Sequence, residues 1–357
     1  VSGEVPAAGA VATPERVLVR LPNPIGDMVM STPALRSLRA HWPAARIVAA
    51  GPGHCVPLLE GLPFVDELVP LPSRAKEGFG GMRAAAADFR ARRFDLAILF
   101  ANSFSSALTA RLAAIPRRVG YAGGGRTWLL TRGLQSRPEA KFHRMPQPMP
   151  EFYGRLLDAL GVPRAGHRTQ LAVRPEDDVR AEQWLARHAF EPGTPIYGFH
   201  GGASFGPSKL WYPERWAAVA DTLHARHGGR TLLFCGPGEE ETVRAIAAAA
   251  KSPVASAVDD PIDLRLLKAM VKRLALFVGT DAGPRHIAVA FDVPTVALLG
   301  STDPRFSNTN LQHSAVVRTG VECSPCHLKI CPIDHRCMTR MSAEMVLAAC
   351  ERVLAGA

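Results

Sequence analysis

The sequence predicts an α/β protein built from two parallel-sheet domains in tandem, facing a cleft, and three observations predict it. The chain has 357 residues, room for roughly two domains at about 150 residues each, and its 47% apolar content can fill two cores. Short β-branched and leucine runs alternate with helical patterns in both halves, the signature of a parallel sheet covered on both faces. In the second half four strands each run into a glycine-rich turn, and in a parallel sheet such turns share the carboxyl edge, where ligands bind.

Taken in order, Arg16 to Leu21 reads as the first buried strand and ends in the turn Pro22-Asn23-Pro24-Ile25-Gly26-Asp27. A helical pattern follows to Trp42, with Pro33 either kinking it or standing in its first turn behind Thr32. Strands are expected at Arg46 to Ala50, Phe64 to Leu71, Phe94 to Phe100 and Arg118 to Tyr121, with a helix over Ala107 to Ile115. From Gly123 to Pro150 the pattern dissolves into glycine, proline and basic residues, a long loop of the kind that carries function. A helix from Glu151 to Leu160 closes this half, and Gly161 to Pro195 reads as a linker with one helix near Asp177 to His188.

The second-half strands are Ile196 to Phe199, Thr231 to Cys235, Leu274 to Val278 and Thr295 to Leu299. Their turns begin at Gly201, Gly236, Gly279 and Gly300. The third turn, Gly279-Thr-Asp281-Ala282-Gly283, opens a helix of small apolar residues, and free N–H groups at a helix start favour an anion there. A final helix, Ala343 to Leu354, is expected to pack back across the domains. The expected boundaries are a disordered tail over 1–14, domains over 15–175 and 176–340, and a terminal helix over 341–357.

Charge and composition narrow the partners. An excess of 42 basic over 32 acidic residues gives +10, which attracts anions such as nucleic acid, an anionic glycolipid or a nucleotide sugar. No run of about 20 apolar residues marks a transmembrane helix, and no signal-peptide pattern stands at the amino terminus, so a cytoplasmic location is expected. Gly51-Pro-Gly53 and Gly236-Pro-Gly238 both lack the third glycine of the dinucleotide fingerprint, and no Walker phosphate loop occurs. Cys323-x2-Cys326-x4-Cys331-x5-Cys337 has thiolate spacing compatible with a structural zinc or iron site, with reduced packed thiols as the alternative.

Four stretches together resemble glycosyltransferase family 9, chiefly its lipopolysaccharide heptosyltransferases. They are Asn23-Pro-Ile-Gly-Asp27 with the residues to Leu35, His200-Gly-Gly-Ala-Ser204 through Lys209 to Pro213, Asp281-Ala-Gly283-x-x-His286, and the cysteine segment before Met341. The resemblance implies a GT-B fold of two Rossmann-like domains, the first holding the acceptor and the second a nucleotide sugar. It implies inverting transfer of a heptose from ADP-heptose to the lipopolysaccharide inner core without an obligatory metal. Asp27 matches the general base, Lys209 the diphosphate lysine, and Asp281, Gly283 and His286 the phosphate turn. Glu239 matches more loosely the acid near the ribose. The partners so implied are the nucleotide sugar and an anionic core acceptor, no nucleic acid, and transient contact with the cytoplasmic face of the membrane through that acceptor.

The chemistry asks for these residue types independently. An inverting transferase needs a carboxylate to take the acceptor's proton, and Asp27 is the candidate, with helix capping as its plainer role. A departing diphosphate needs a cation and main-chain N–H groups, which Lys209 and the Asp281 to Gly283 turn supply; a surface lysine is the alternative. His286 could instead face a packed side, and Glu239, beside Glu240 and Glu241, could belong to a solvated helix start. Ala282 stands where the family turn usually carries serine or threonine, so Thr280, or Ser301 and Thr302, would supply the hydroxyl; Ser204 and Ala282 are counted with the nucleotide-sugar contacts. Asn23, Arg126, Lys141, His143 and Arg144 are the candidate contacts to an anionic acceptor. Another donor or acceptor, a nucleotide-sugar epimerase and a non-catalytic nucleotide-binding protein are the competing functions.

Overall fold

Val17, Leu18 and Val19 have no exposed surface, which is what a central strand buried on both faces requires. In the computed structural model they form β1 (Arg16–Arg20), paired in parallel with β2 (Arg46–Pro52) on one side and β4 (Leu96–Leu99) on the other. The structure describes residues 13–72, 74–135, 138–139, 143–144 and 147–356. The expected tail over 1–14 lies almost wholly outside them, and Pro14 is already buried.

Contacts divide the chain into two units, Val1–Thr169 and Gln170–Ala357. In the first, α1 (Ile25–Met30) and α2 (Thr32–His41) connect β1 to β2, and β3 (Glu67–Leu71) follows. Pro33 stands in the first turn of α2 and does not kink it. A helical stretch α3 (Arg74–Ala91), broken at Gly78, leads to β4; α4 (Phe104–Leu112), β5 (Arg117–Tyr121) and β6 (Arg132–Leu134) complete the sheet in the order β3-β2-β1-β4-β5-β6. The expected irregular loop over 123–150 therefore holds a sixth strand. It also holds a two-stranded ribbon, β7 (Pro138–Glu139) with β8 (His143–Arg144), before α5 (Met149–Asp158).

The second unit repeats the same order. After α6 (Pro175–Arg187) come β9 (Ile196–His200), α7 (Pro213–His227), β10 (Arg230–Leu233), α8 (Glu240–Ala249), β11 (Val254–Ser256), α9 (Leu264–Val271) and β12 (Leu276–Thr280). Then follow α10 (Gly283–Ala290), β13 (Thr295–Leu298), β14 (Ser314–Val317), the short α11 (Arg336–Thr339) and α12 (Ala343–Ala355). The sheet runs β11-β10-β9-β12-β13-β14, all parallel. Its order reverses between β9 and β12, and ligands of such sheets bind outside the carboxyl ends at that reversal. Below the reversal Phe199, Trp216, Leu276, Val278 and Met338 share one buried cluster; burying a side chain of that size contributes about 1.5–3 kcal/mol, so the strand ends sit on a firm base. The terminal helix α12 packs on α7, β13 and β14 of this unit. Among the described residues no helix is long and apolar enough to cross a membrane.

Candidate active site

The ends of β9 and β12 lie side by side, Gly279 opposite His200 in the ladder. The Thr280 hydroxyl donates to the Gly202 carbonyl at 2.6 Å and ties the two turns together. α10 then starts at Gly283 with Ala282 in the cap position, its backbone extended and no side chain closing the cap. The first N–H groups of α10 thus keep the partial positive charge that attracts an anion.

Three side chains from three segments converge on Asp281. Lys209 Nζ, on the single 3-10 turn after Gly206, donates to its carbonyl at 2.5 Å and its Oδ2 at 3.1 Å. Arg285 donates to Oδ1 at 2.8 Å from one helical turn away, and Thr302 Oγ1 to Oδ2 at 2.7 Å. Burial alone would raise the Asp281 pKa, but the Lys209 and Arg285 charges and the Thr302 hydrogen bond hold it well below the usual carboxylate range. One carboxylate against two buried cations leaves a net +1 beside the uncapped helix start. Burial, then the Arg285 charge, pushes the His286 imidazole down to about 3, so it is neutral at pH 7 and acts as a hydrogen-bonding group rather than a third cation.

Glu239 closes the other side. Its Oε2 meets His200 Nε2 at 3.1 Å and accepts from the Gly236 N–H at 2.8 Å. Burial would raise its pKa, but the His200 and Gly236 contacts lower it. A Cβ on Gly202 would stand 1.9 Å from the Glu239 carboxyl carbon, so the glycine is there to make room for the acid. Glu239 does stand at the start of α8, in its cap position, but its side chain is largely buried against His200 and the Gly202 turn and is not solvated.

Three of the four expected hydroxyls are already engaged, and the fourth is exposed. Thr280 and Thr302 are engaged as above, Ser301 Oγ lies 3.0 Å from Ser208 Oγ, and Ser204 sits exposed in a turn. Sequence reading assigned no role to Arg285 or His200, although the Asp-x-x-x-Arg spacing is one helical turn and would have found the former.

In the first unit Asp27 is the third residue of α1, partly buried, with Pro24 in the cap position and no side-chain cap. It is not the helix cap; it lies in the first turn. Asn23 is exposed and its carbonyl accepts from Cys55 Sγ at 3.3 Å. Arg126, expected at an acceptor, is instead 1% exposed, and its guanidinium donates to the carbonyls of Tyr121 and Ala101, both at 2.8 Å, and to Asn102 Oδ1 at 2.9 Å. It braces the β4 and β5 turns. Lys141 lies outside the described residues, and His143 and Arg144 are described only as the backbone of β8. Arg20, which sequence reading passed over, ends β1 at this sheet's own reversal. Its guanidinium donates to the Ala50 carbonyl at 3.0 Å, and burial lowers its pKa to about 10. Among the described residues no carboxylate pairs with it.

All seven cysteines are free thiols. Burial, and then the neighbouring Cys323, Cys326 and Cys331, raise the Cys337 thiol, so the four lie near one another. Yet among the described residues no group of three or more His, Cys, Asp or Glu side chains is placed to hold a metal ion. The residues as arranged do not fit the structural zinc or iron that their spacing suggested.

Comparison with known proteins agrees with this fold. The sequence model of glycosyltransferase family 9 (heptosyltransferase) matches residues 82–336. Lipopolysaccharide heptosyltransferase 2 of Salmonella typhimurium is 32% identical over 311 residues, covering 85% of this chain and 88% of that one; its Escherichia coli counterpart is 31% identical over 313 residues with the same coverage. The solved structure of E. coli ADP-heptose lps heptosyltransferase II superposes with a TM-score of 0.76 at 28% identity, covering 95% of this chain and 98% of that one. A family 9 glycosyl transferase from Veillonella parvula reaches a TM-score of 0.83 at 24% identity, covering 96% and 98%, and supports the fold. Two Rossmann-like sheets of GT-B type, a family match over most of the chain and relatives above 30% identity make this chain a member of glycosyltransferase family 9, and an enzyme of glycosyl transfer.

Proposed function

We propose that the protein transfers a heptose from ADP-heptose to the lipopolysaccharide inner core with inversion at the anomeric carbon. The observation that carries this is the Lys209–Asp281–Arg285 cluster, a net +1 held rigidly at an uncapped helix start on the sheet reversal. The names of the relatives give the sugar and the acceptor class.

In this reading the acceptor hydroxyl oxygen attacks the anomeric carbon opposite ADP, and its proton passes to the Asp27 carboxylate. The bond from the anomeric carbon to the phosphate oxygen breaks, and ADP departs with the electron pair. Lys209 has three ammonium protons and spends two on Asp281, so the third is available to a diphosphate oxygen. The first N–H groups of α10 take other oxygens, where charge develops as ADP leaves, and neutral His286 donates or accepts there without adding charge. The Glu239 contacts fall on Oε2, leaving Oε1 for a ribose hydroxyl. Arg20 and Asn23, on the strand and turn that lead into Asp27, are offered to an anionic group of the acceptor.

Nucleotide binding tests the donor half. Calorimetric titration is expected to give a measurable Kd for ADP, raised roughly 30-fold or more in Lys209→Met, since charge-assisted hydrogen bonds contribute about 1.5–3 kcal/mol each. An unaltered ADP affinity in Lys209→Met would remove the lysine from the site. UDP or GDP binding in place of ADP would change the donor.

A further inference from the structure

The residue before the diphosphate lysine is held more tightly than its own turn requires. Ser208 is 2% exposed and bonded at every polar atom to segments distant in sequence. Its N–H donates to the Lys329 carbonyl at 3.0 Å, and its hydroxyl donates to the Leu328 carbonyl at 2.6 Å and lies 3.0 Å from Ser301 Oγ. Its own carbonyl accepts from His335 Nε2 at 2.8 Å. Gly206, at φ +150 where side chains are disfavoured, lets the Lys329 carbonyl approach to 2.6 Å from where a Cβ would stand.

Three of those partners, Leu328, Lys329 and His335, belong to the cysteine-rich segment. The same segment also grips the turn that supplies Thr302: the His327 N–H donates to the Ser301 carbonyl at 2.8 Å, and Ser324 Oγ to the Gly300 carbonyl at 2.6 Å. His335 has a left-handed backbone, φ 56, an uncommon conformation for a non-glycine residue. Cys331 Sγ accepts the His335 N–H at 3.3 Å and ties it to the same segment. The segment therefore holds both turns that deliver side chains to Asp281.

We infer that the cysteine-rich segment, through His335 and Ser208, is the positioning device that sets Lys209 for a diphosphate. It touches no substrate in this account; it fixes the turn from which the lysine reaches. A cationic group contributes fully only when it is already in place before the charge arrives, so loosening the segment should weaken diphosphate binding through Lys209 and not generally. The inference rests on the donor site proposed above.

A double-mutant cycle on ADP affinity separates positioning from general stability. His335→Ala is expected to raise the Kd for ADP about tenfold, but less than about twofold when Lys209 is already Met, because the loss travels through the lysine. His335→Gln, whose amide can still donate to the Ser208 carbonyl, should stay within roughly threefold of wild type. Ser208→Ala, which removes only the hydroxyl contacts, provides the same cycle if His335→Ala does not fold. The inference is overturned if folded His335→Ala and Ser208→Ala bind ADP like wild type, or if the loss is equal in both backgrounds. Absence of ADP binding in the wild type would instead overturn the donor site itself.

Discussion

Asp27→Asn is expected to lower kcat by about 10²–10⁴, the range a positioned general base contributes, which corresponds to roughly 3–5 kcal/mol of barrier. The amide keeps the size and cannot take a proton. Because Asp27 lies in the first turn of α1 without serving as its cap, the isosteric amide leaves the helix start as it was, and the variant should fold. ADP affinity should stay within about twofold, since no charge is removed from the Asp281 cluster. A full-rate Asp27→Asn enzyme would mean that another group accepts the proton.

The second large effect is on stability. Asp281→Ala leaves Lys209 and Arg285 buried together without their shared counter-ion, and breaking a buried pair in this way costs about 3–5 kcal/mol. For a unit of this size that is a fall in Tm of roughly 10 °C, and differential scanning calorimetry at pH 7 reads it directly. An unchanged Tm would mean that the cluster is looser than its distances indicate.

The same cluster fixes the sign of the pH dependence. The Asp281 pKa is depressed in the fold, so its contribution is complete above the unfolded value near 4 and is lost as the pH falls below it. The His286 pKa is depressed from 6.5 to about 3, so between those values the unfolded chain binds a proton that the folded chain refuses. Both therefore destabilise the protein on acidification, His286 first. His286→Gln should lose less Tm than wild type between pH 7 and 4.5, and equal losses would refute the depressed pKa of that imidazole.

The parts legible in the sequence were those dictated by burial and by turn chemistry. Strands such as Val17-Leu18-Val19 and Leu276-Phe277-Val278 are buried on both faces and so read as unbroken apolar runs. The glycine turns after β9 and β12 named their own place on the sheet edge. Edge strands β6 and β14 escaped because β6 is the three residues Arg132-Gly-Leu134 with no apolar run, and β14, Ser314–Val317, is a four-residue run with three positions only half-buried. The α3 stretch escaped because Gly78, Gly80 and Gly81 dilute its period.

Arg126 shows how composition misleads. Gly123-Gly-Gly125 reads as a solvated loop, but all three glycines take positive φ and turn the chain inward, delivering the guanidinium to strand-end carbonyls. The ring of contacts around Asp281 was only half legible. Lys209 and Thr302 lie 72 and 21 residues away from it in sequence, and single-sequence periodicity carries no information about such meetings.

The most direct test of the account is the mass of the acceptor after wild-type protein meets ADP-heptose and a heptose-deficient core lipopolysaccharide. The expected result is an acceptor heavier by one heptose, with one ADP released for each transfer. ADP-heptose returned intact, or converted to an isomer while the acceptor mass stays unchanged, would contradict heptosyl transfer as the activity of this site.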